Sequence, residues 1–100
     1  MDDNFKEIEL LINKVLDLQY VVILDIRNKI EYVINNQIKD DKIIENILED
    51  LLNLFQTDET LSLYKKLCRY YYEINPHLVI DYVYLYKEMY LDDEVKELKL

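Results

Sequence analysis

The chain has 100 residues, a net charge of -9 and a hydrophobic fraction of 51%, with one proline, one cysteine and no glycine. This length predicts a single domain spanning residues 1–100, and the hydrophobic fraction excludes a disordered chain. The absence of glycine excludes Gly-rich phosphate loops, and the acidic balance argues against nucleic acid as a partner.

The first third of the chain carries apolar residues at helical spacing. Asn4, with Glu7 three positions later, resembles a capping box, and the apolar period then continues as far as Ile38. An unbroken helix of that extent would be about 50 Å long, against a radius of gyration of about 13 Å for a compact domain of this size. Either the helix breaks near residues 17–19, or the bundle is elongated, or the chain dimerises. We favour two helices, with Asp17 as a possible cap of the second.

The middle of the chain predicts another amphipathic helix. Asn35 and Asn36 can end the preceding helix, and Asp40 with Asp41 can begin the next one. The inner face of this helix is predicted from seven apolar residues at helical spacing: Ile43, Ile44, Ile47, Leu48, Leu51, Leu52 and Phe55.

Residues 58–91 hold eight of the ten tyrosines together with the only Cys, Pro and His. Asn75 before Pro76 predicts a helix start, because proline is tolerated at the first helical position and asparagine is a good cap. Thr57 and Asp58 are expected to cap the helix before this junction, which then ends near Glu73. The complete pattern predicts an all-α bundle of four to five helices, to which residues 91–100 could add one more turn.

Two groups of residues are candidates for partner binding. Asp41, Glu45 and Glu49 are spaced four apart and share one helix ridge, although like charges at this spacing repel one another. The second group places an aromatic ring between two carboxylates on a ridge away from the apolar stripe: Asp81, Tyr84 and Glu88. Tyrosine is enriched in interface hot spots. The plainer alternative for both groups is a solvated face.

No catalytic, cofactor or metal site is predicted. Cys68 lies on the apolar stripe, as an inert buried thiol would, and a single His with a single Cys does not provide a usual zinc site. The acidic N-terminus does not resemble a secretory signal, and the longest apolar run, residues 20–24, is too short for a membrane span. We therefore expect a cytoplasmic protein that is not an enzyme.

The segment LCRYYYEINPHLVIDYVYLYKEMY, with the acidic helix before it, resembles the small acidic helical immunity proteins of bacterial polymorphic-toxin and contact-dependent inhibition systems. The resemblance implies a cytosolic protein that blocks one toxin domain, often a nuclease with a basic active site. That class shares no site signature, so no residue is carried over from it.

Other functions remain open from the sequence alone. The same acidic surface would suit a phage anti-CRISPR protein or another nucleic-acid mimic that occupies a basic channel. A helical hydrolase would require carboxylates that converge on a pocket. The long amphipathic first half also suggests a homodimeric regulatory module, so the chain is expected to be a monomer or a homodimer.

Overall fold

The computed structural model describes the backbone of residues 2–91 and the side chains of residues 3–91. It contains four helices: α1 Asp2–Asn35, α2 Asp41–Leu52, α3 Asp58–Tyr72 and α4 Pro76–Tyr90. No strand occurs within these residues, which confirms the predicted all-α bundle. The possible extra turn after Leu91 lies outside the described residues.

The expected break near Asp17 is absent, and α1 runs unbroken for 34 residues. The helix also begins at Asp2, so Asn4 lies inside it and does not cap it. No glycine or proline interrupts α1, and its length is accommodated because only its C-terminal half belongs to the bundle. The molecule is accordingly elongated, with principal extents of 53 × 40 × 18 Å.

The helix starts of the bundle follow the predicted capping chemistry. Asp40 caps α2 by accepting from two backbone amides, and Thr57 forms a reciprocal capping box with Thr60. Asn75 caps α4, with Pro76 at its first position and the Asn75 side chain accepting from the Leu78 amide at 3.2 Å. Side-chain acceptors satisfy amides that would otherwise lack a partner, so each start is fixed locally.

The end of α1 differs in detail from the prediction. The helix stops at Asn35, as expected, but Gln37 is the residue that adopts the left-handed conformation, with φ 50°. The backbone amide of Ile38 then donates to the Val33 carbonyl at 2.9 Å, which closes the turn. This turn leads directly into Asp40, the residue that caps α2.

The core joins the C-terminal half of α1 to the inner faces of α2, α3 and α4. Its fully enclosed side chains come from all of the first three helices: Ile26, Ile30, Ile44, Leu48, Leu51, Leu67 and Tyr71. Two of the seven residues predicted for the inner face of the middle helix are exposed instead: Ile43 near the start of α2 and Phe55 beyond its end at Leu52.

Candidate functional site

The hydroxyl groups of most tyrosines in α3 and α4 are used inside the bundle. Tyr70 donates to the Ile38 carbonyl at 2.8 Å, and Tyr86 donates to Gln56 Oε1 at 3.1 Å. Tyr64 donates to the Tyr82 carbonyl at 2.6 Å, and Tyr90 donates to the Leu52 carbonyl. Two of these rings, those of Tyr64 and Tyr86, are buried in the core. The hydroxyl bonds connect α3 to α4, and they connect α3 and α4 to α2 and its flanking turns.

Asp41, the first candidate residue, is engaged at the junction of three elements. Its Oδ1 accepts a hydrogen bond from the buried Tyr71 hydroxyl, which also lies 3.1 Å from the Lys39 carbonyl oxygen. Its Oδ2 accepts from Asn75 Nδ2 at 3.1 Å. Burial, followed by the hydrogen bond and charge of Asp41, raises the pKa of Tyr71. Asp41 thus has a structural role that the sequence pattern did not reveal.

Glu45 and Glu49 lie near Tyr82 of α4. Glu49 Oε1 accepts from the Tyr82 hydroxyl at 2.8 Å. Burial raises the pKa of Tyr82 most strongly, and the charges of Glu49 and Glu45 raise it further. Glu45 is half-buried and Glu49 is exposed. The predicted ridge therefore borders α4, and its two ends make internal hydrogen bonds.

The second candidate group lies on the outward ridge of α4. Asp81, Tyr84 and Glu88 are all exposed, and the Tyr84 side chain is 62% accessible to solvent. Lys87 Nζ lies 5.7 Å from the centroid of the Tyr84 ring, within the range of a cation–π contact. The hydrogen bond between Tyr82, the residue next to Asp81, and Glu49 connects the two helices that carry the candidate groups. We call these six residues together the α2–α4 acidic face.

The acids of the α2–α4 acidic face are not neutralised within the described chain. Residues 3–91 form three ion pairs, Arg27–Glu59, Lys29–Asp25 and Lys66–Glu31, and none involves an acid of α2 or α4. Among residues 3–91, no Lys, Arg or His nitrogen therefore lies within 4.0 Å of a carboxylate oxygen of these acids. A surface of this kind attracts cationic groups and repels anionic ones.

Two buried polar groups serve the fold and not the candidate site. Gln19 is 6% exposed; its side-chain amide donates to the Phe55 carbonyl at 2.8 Å and accepts from the Phe55 amide at 2.8 Å. Cys68 is buried, and burial raises the pKa of its thiol to about 11. A thiol with so high a pKa is almost entirely protonated at neutral pH and is a poor nucleophile.

Within the described residues, no group of three or more His, Cys, Asp or Glu side chains is arranged to hold a metal ion. Between residues 2 and 91, no helix combines the length and the apolar character that crossing a membrane requires. The chain matches no family model, no curated protein and no solved structure.

Proposed function

We propose that the protein works by binding, and that it inhibits a partner protein whose functional surface is basic. The observation that carries this proposal is the α2–α4 acidic face, where carboxylates without cationic partners in the described chain lie beside the exposed ring of Tyr84. Unpaired acids would accelerate association with a cationic surface, and the exposed tyrosine would supply an apolar anchor.

Within this proposal the six candidate residues have different tasks. Glu45, Asp81 and Glu88 would provide the steering charge and Tyr84 the anchor. Asp41 and Glu49 would contribute charge only in addition to their hydrogen bonds to Tyr71 and Tyr82. A cytoplasmic immunity protein directed against a nuclease toxin is the identity that suits such a face best, because nuclease active sites bind phosphates with basic residues. An anti-CRISPR protein or nucleic-acid mimic would use the same face against a different basic channel.

Capture by the immobilised chain tests the proposal. The wild-type chain and the double variant Glu45→Lys/Glu88→Lys are presented to the same bacterial lysate, and bound proteins are eluted with a salt gradient. We expect a basic protein that the wild type retains and the variant loses, and whose enzymatic activity falls when wild-type chain is added. A double variant with the same charge change elsewhere, Asp3→Lys/Asp17→Lys, should retain the partner.

Loss of the partner from both double variants, or from neither, would count against the α2–α4 acidic face. Retention of a partner whose activity is unaffected would count against an inhibitor. The nature of the inhibited enzyme, a toxin nuclease or a CRISPR effector, would separate the two identities.

A further inference from the structure

The N-terminal half of α1 projects from the bundle with an apolar face that nothing in the described chain covers. Every side chain from residue 3 to residue 18 is exposed, whereas Gln19, Ile23, Ile26, Ile30 and Val33 are buried against the other helices. A 34-residue helix is about 50 Å long, and the 12- and 15-residue helices beside it span only about 20 Å. Residues 3–18 form what we call the overhang.

The overhang carries the repeat of a coiled-coil seam. Four of its exposed apolar residues are spaced alternately three and four positions apart: Ile8, Leu11, Val15 and Leu18. Their exposures run from 43% at Val15 to 67% at Leu18. This alternation is the pattern by which one helix packs along another. Because a lone helix of this length gains little stability from itself, such a seam requires a partner helix.

We propose that the overhang pairs with the overhang of a second copy of this chain, as an antiparallel two-fold dimer. A two-fold axis needs one self-complementary surface, which a single repeating seam provides. With Ile8 of each copy opposite Leu11 of the other, the overlap runs over residues 2–17. It therefore ends before Gln19, the first residue of α1 that is buried against the bundle.

Charge complementarity supports this register. Glu7 and Lys14 flank the same edge of the seam and are seven residues apart, so an antiparallel copy places each Glu7 beside the second copy's Lys14. The two-fold axis repeats this pair. On the other edge, Phe5 meets the second copy's Ile12; these two side chains are 71% and 49% exposed.

The exposed area fits a dimer interface. Within the overlap, the exposed apolar side chains of the seam and its flanks present roughly 500 Å² per copy, which is at the low end for a specific protein–protein interface and fits a dimer that dissociates in the micromolar range. The overhang suits a second copy of the chain better than a membrane surface, because amphipathic helices that bind anionic lipid carry mainly Lys and Arg on the polar face. Residues 3–18 hold four acids, Asp3, Glu7, Glu9 and Asp17, against two lysines.

Sedimentation velocity of the full chain between about 1 and 200 μM tests the dimer. We expect the wild type to change from one chain mass to two within this range. Leu11→Asp should weaken the dimer at least tenfold, whereas the matched control Leu10→Asp should change it less than about twofold. Both leucines are exposed on the same helix, at 58% and 69%, so both variants should unfold at the urea midpoint of the wild-type bundle.

A charge exchange tests the register. Glu7→Lys alone should weaken the dimer, and adding Lys14→Glu should restore it, because both symmetry-related pairs then have opposite charges again, with their signs exchanged. The proposal is overturned if the chain stays monomeric throughout this concentration range, whether or not it binds phosphatidylcholine vesicles. If Leu11→Asp does not weaken the dimer, the seam of the overhang is not the dimer interface. If the charge exchange does not change the dimer, the antiparallel register is wrong.

Discussion

Replacing Tyr71 by phenylalanine isolates one hydroxyl group that connects α3 to the start of α2. The ring is fully buried, and its hydroxyl donates to Asp41 and lies 3.1 Å from the Lys39 carbonyl. Phenylalanine keeps the ring and its packing, so the substitution removes only the polar contacts. Asp41 keeps its second bond, from Asn75, and is therefore not left without a donor.

The expected cost follows from the charge on the acceptor. Hydrogen bonds to charged groups contribute about 1.5–3 kcal/mol, so we expect Tyr71→Phe to lower the free energy of unfolding by about 2 kcal/mol. For a domain of this size that corresponds to a fall in Tm of about 10 °C. In urea the midpoint should fall by roughly 1 M with an unchanged m-value, since the surface exposed on unfolding is the same.

The matched control is Tyr72→Phe on the next residue. Tyr72 is 52% exposed and its hydroxyl has no hydrogen-bond partner among residues 3–91, so its removal should cost less than about 0.5 kcal/mol. A double-mutant cycle with Asp41→Asn should show coupling of at least 1 kcal/mol between Tyr71 and Asp41. Equal stability of the two phenylalanine variants would refute the structural role of Asp41.

Three further predictions concern other parts of the bundle. Gln19→Leu should lower the free energy of unfolding by about 2–3 kcal/mol in urea titration, because both backbone groups of Phe55 lose their partner; a neutral change would show that water replaces the side chain. The free energy of unfolding should fall as the pH rises above about 9. Burial raises the pKa of Cys68 and Tyr71 in the folded state, so these groups lose their protons at a lower pH in the unfolded chain. A urea midpoint that stays constant between pH 7 and 11 would contradict this prediction. Cys68 should react with a disulfide reagent at pH 8 only at the rate of global unfolding, and rapid labelling of the native chain would show that the thiol is accessible.

Sequence reasoning predicted the elements of the bundle because their boundaries are set by local chemistry. The Asp40, Thr57 and Asn75 caps and Pro76 at the start of α4 were all predictable, since each satisfies backbone groups within a few residues. The unbroken course of α1 was not predicted, because the expected break rested on the radius of gyration of a compact domain, whereas half of this helix lies outside the bundle. The Gln37 conformation was also missed, since asparagine nearby is the commoner residue at such a position.

The candidate site was only partly predictable. Spacing places Asp41, Glu45 and Glu49 on one ridge, and the structure agrees, but spacing does not show that tyrosines from α3 and α4 reach two of them. Those contacts span 30 and 33 positions along the chain, and they depend on how the helices pack. The outward ridge of Asp81, Tyr84 and Glu88 was easier to predict, because it depends only on the period of α4.

Association kinetics with the captured basic protein test the central claim most directly. At low salt, Glu45→Lys/Glu88→Lys should slow association by about tenfold and flatten its dependence on ionic strength, because the α2–α4 acidic face loses its steering potential. Asp3→Lys/Asp17→Lys changes the net charge equally and should leave the rate within about twofold of the wild type. If the two variants associate equally fast, the negative charge of the chain acts without regard to its position, and the α2–α4 acidic face is not the binding surface.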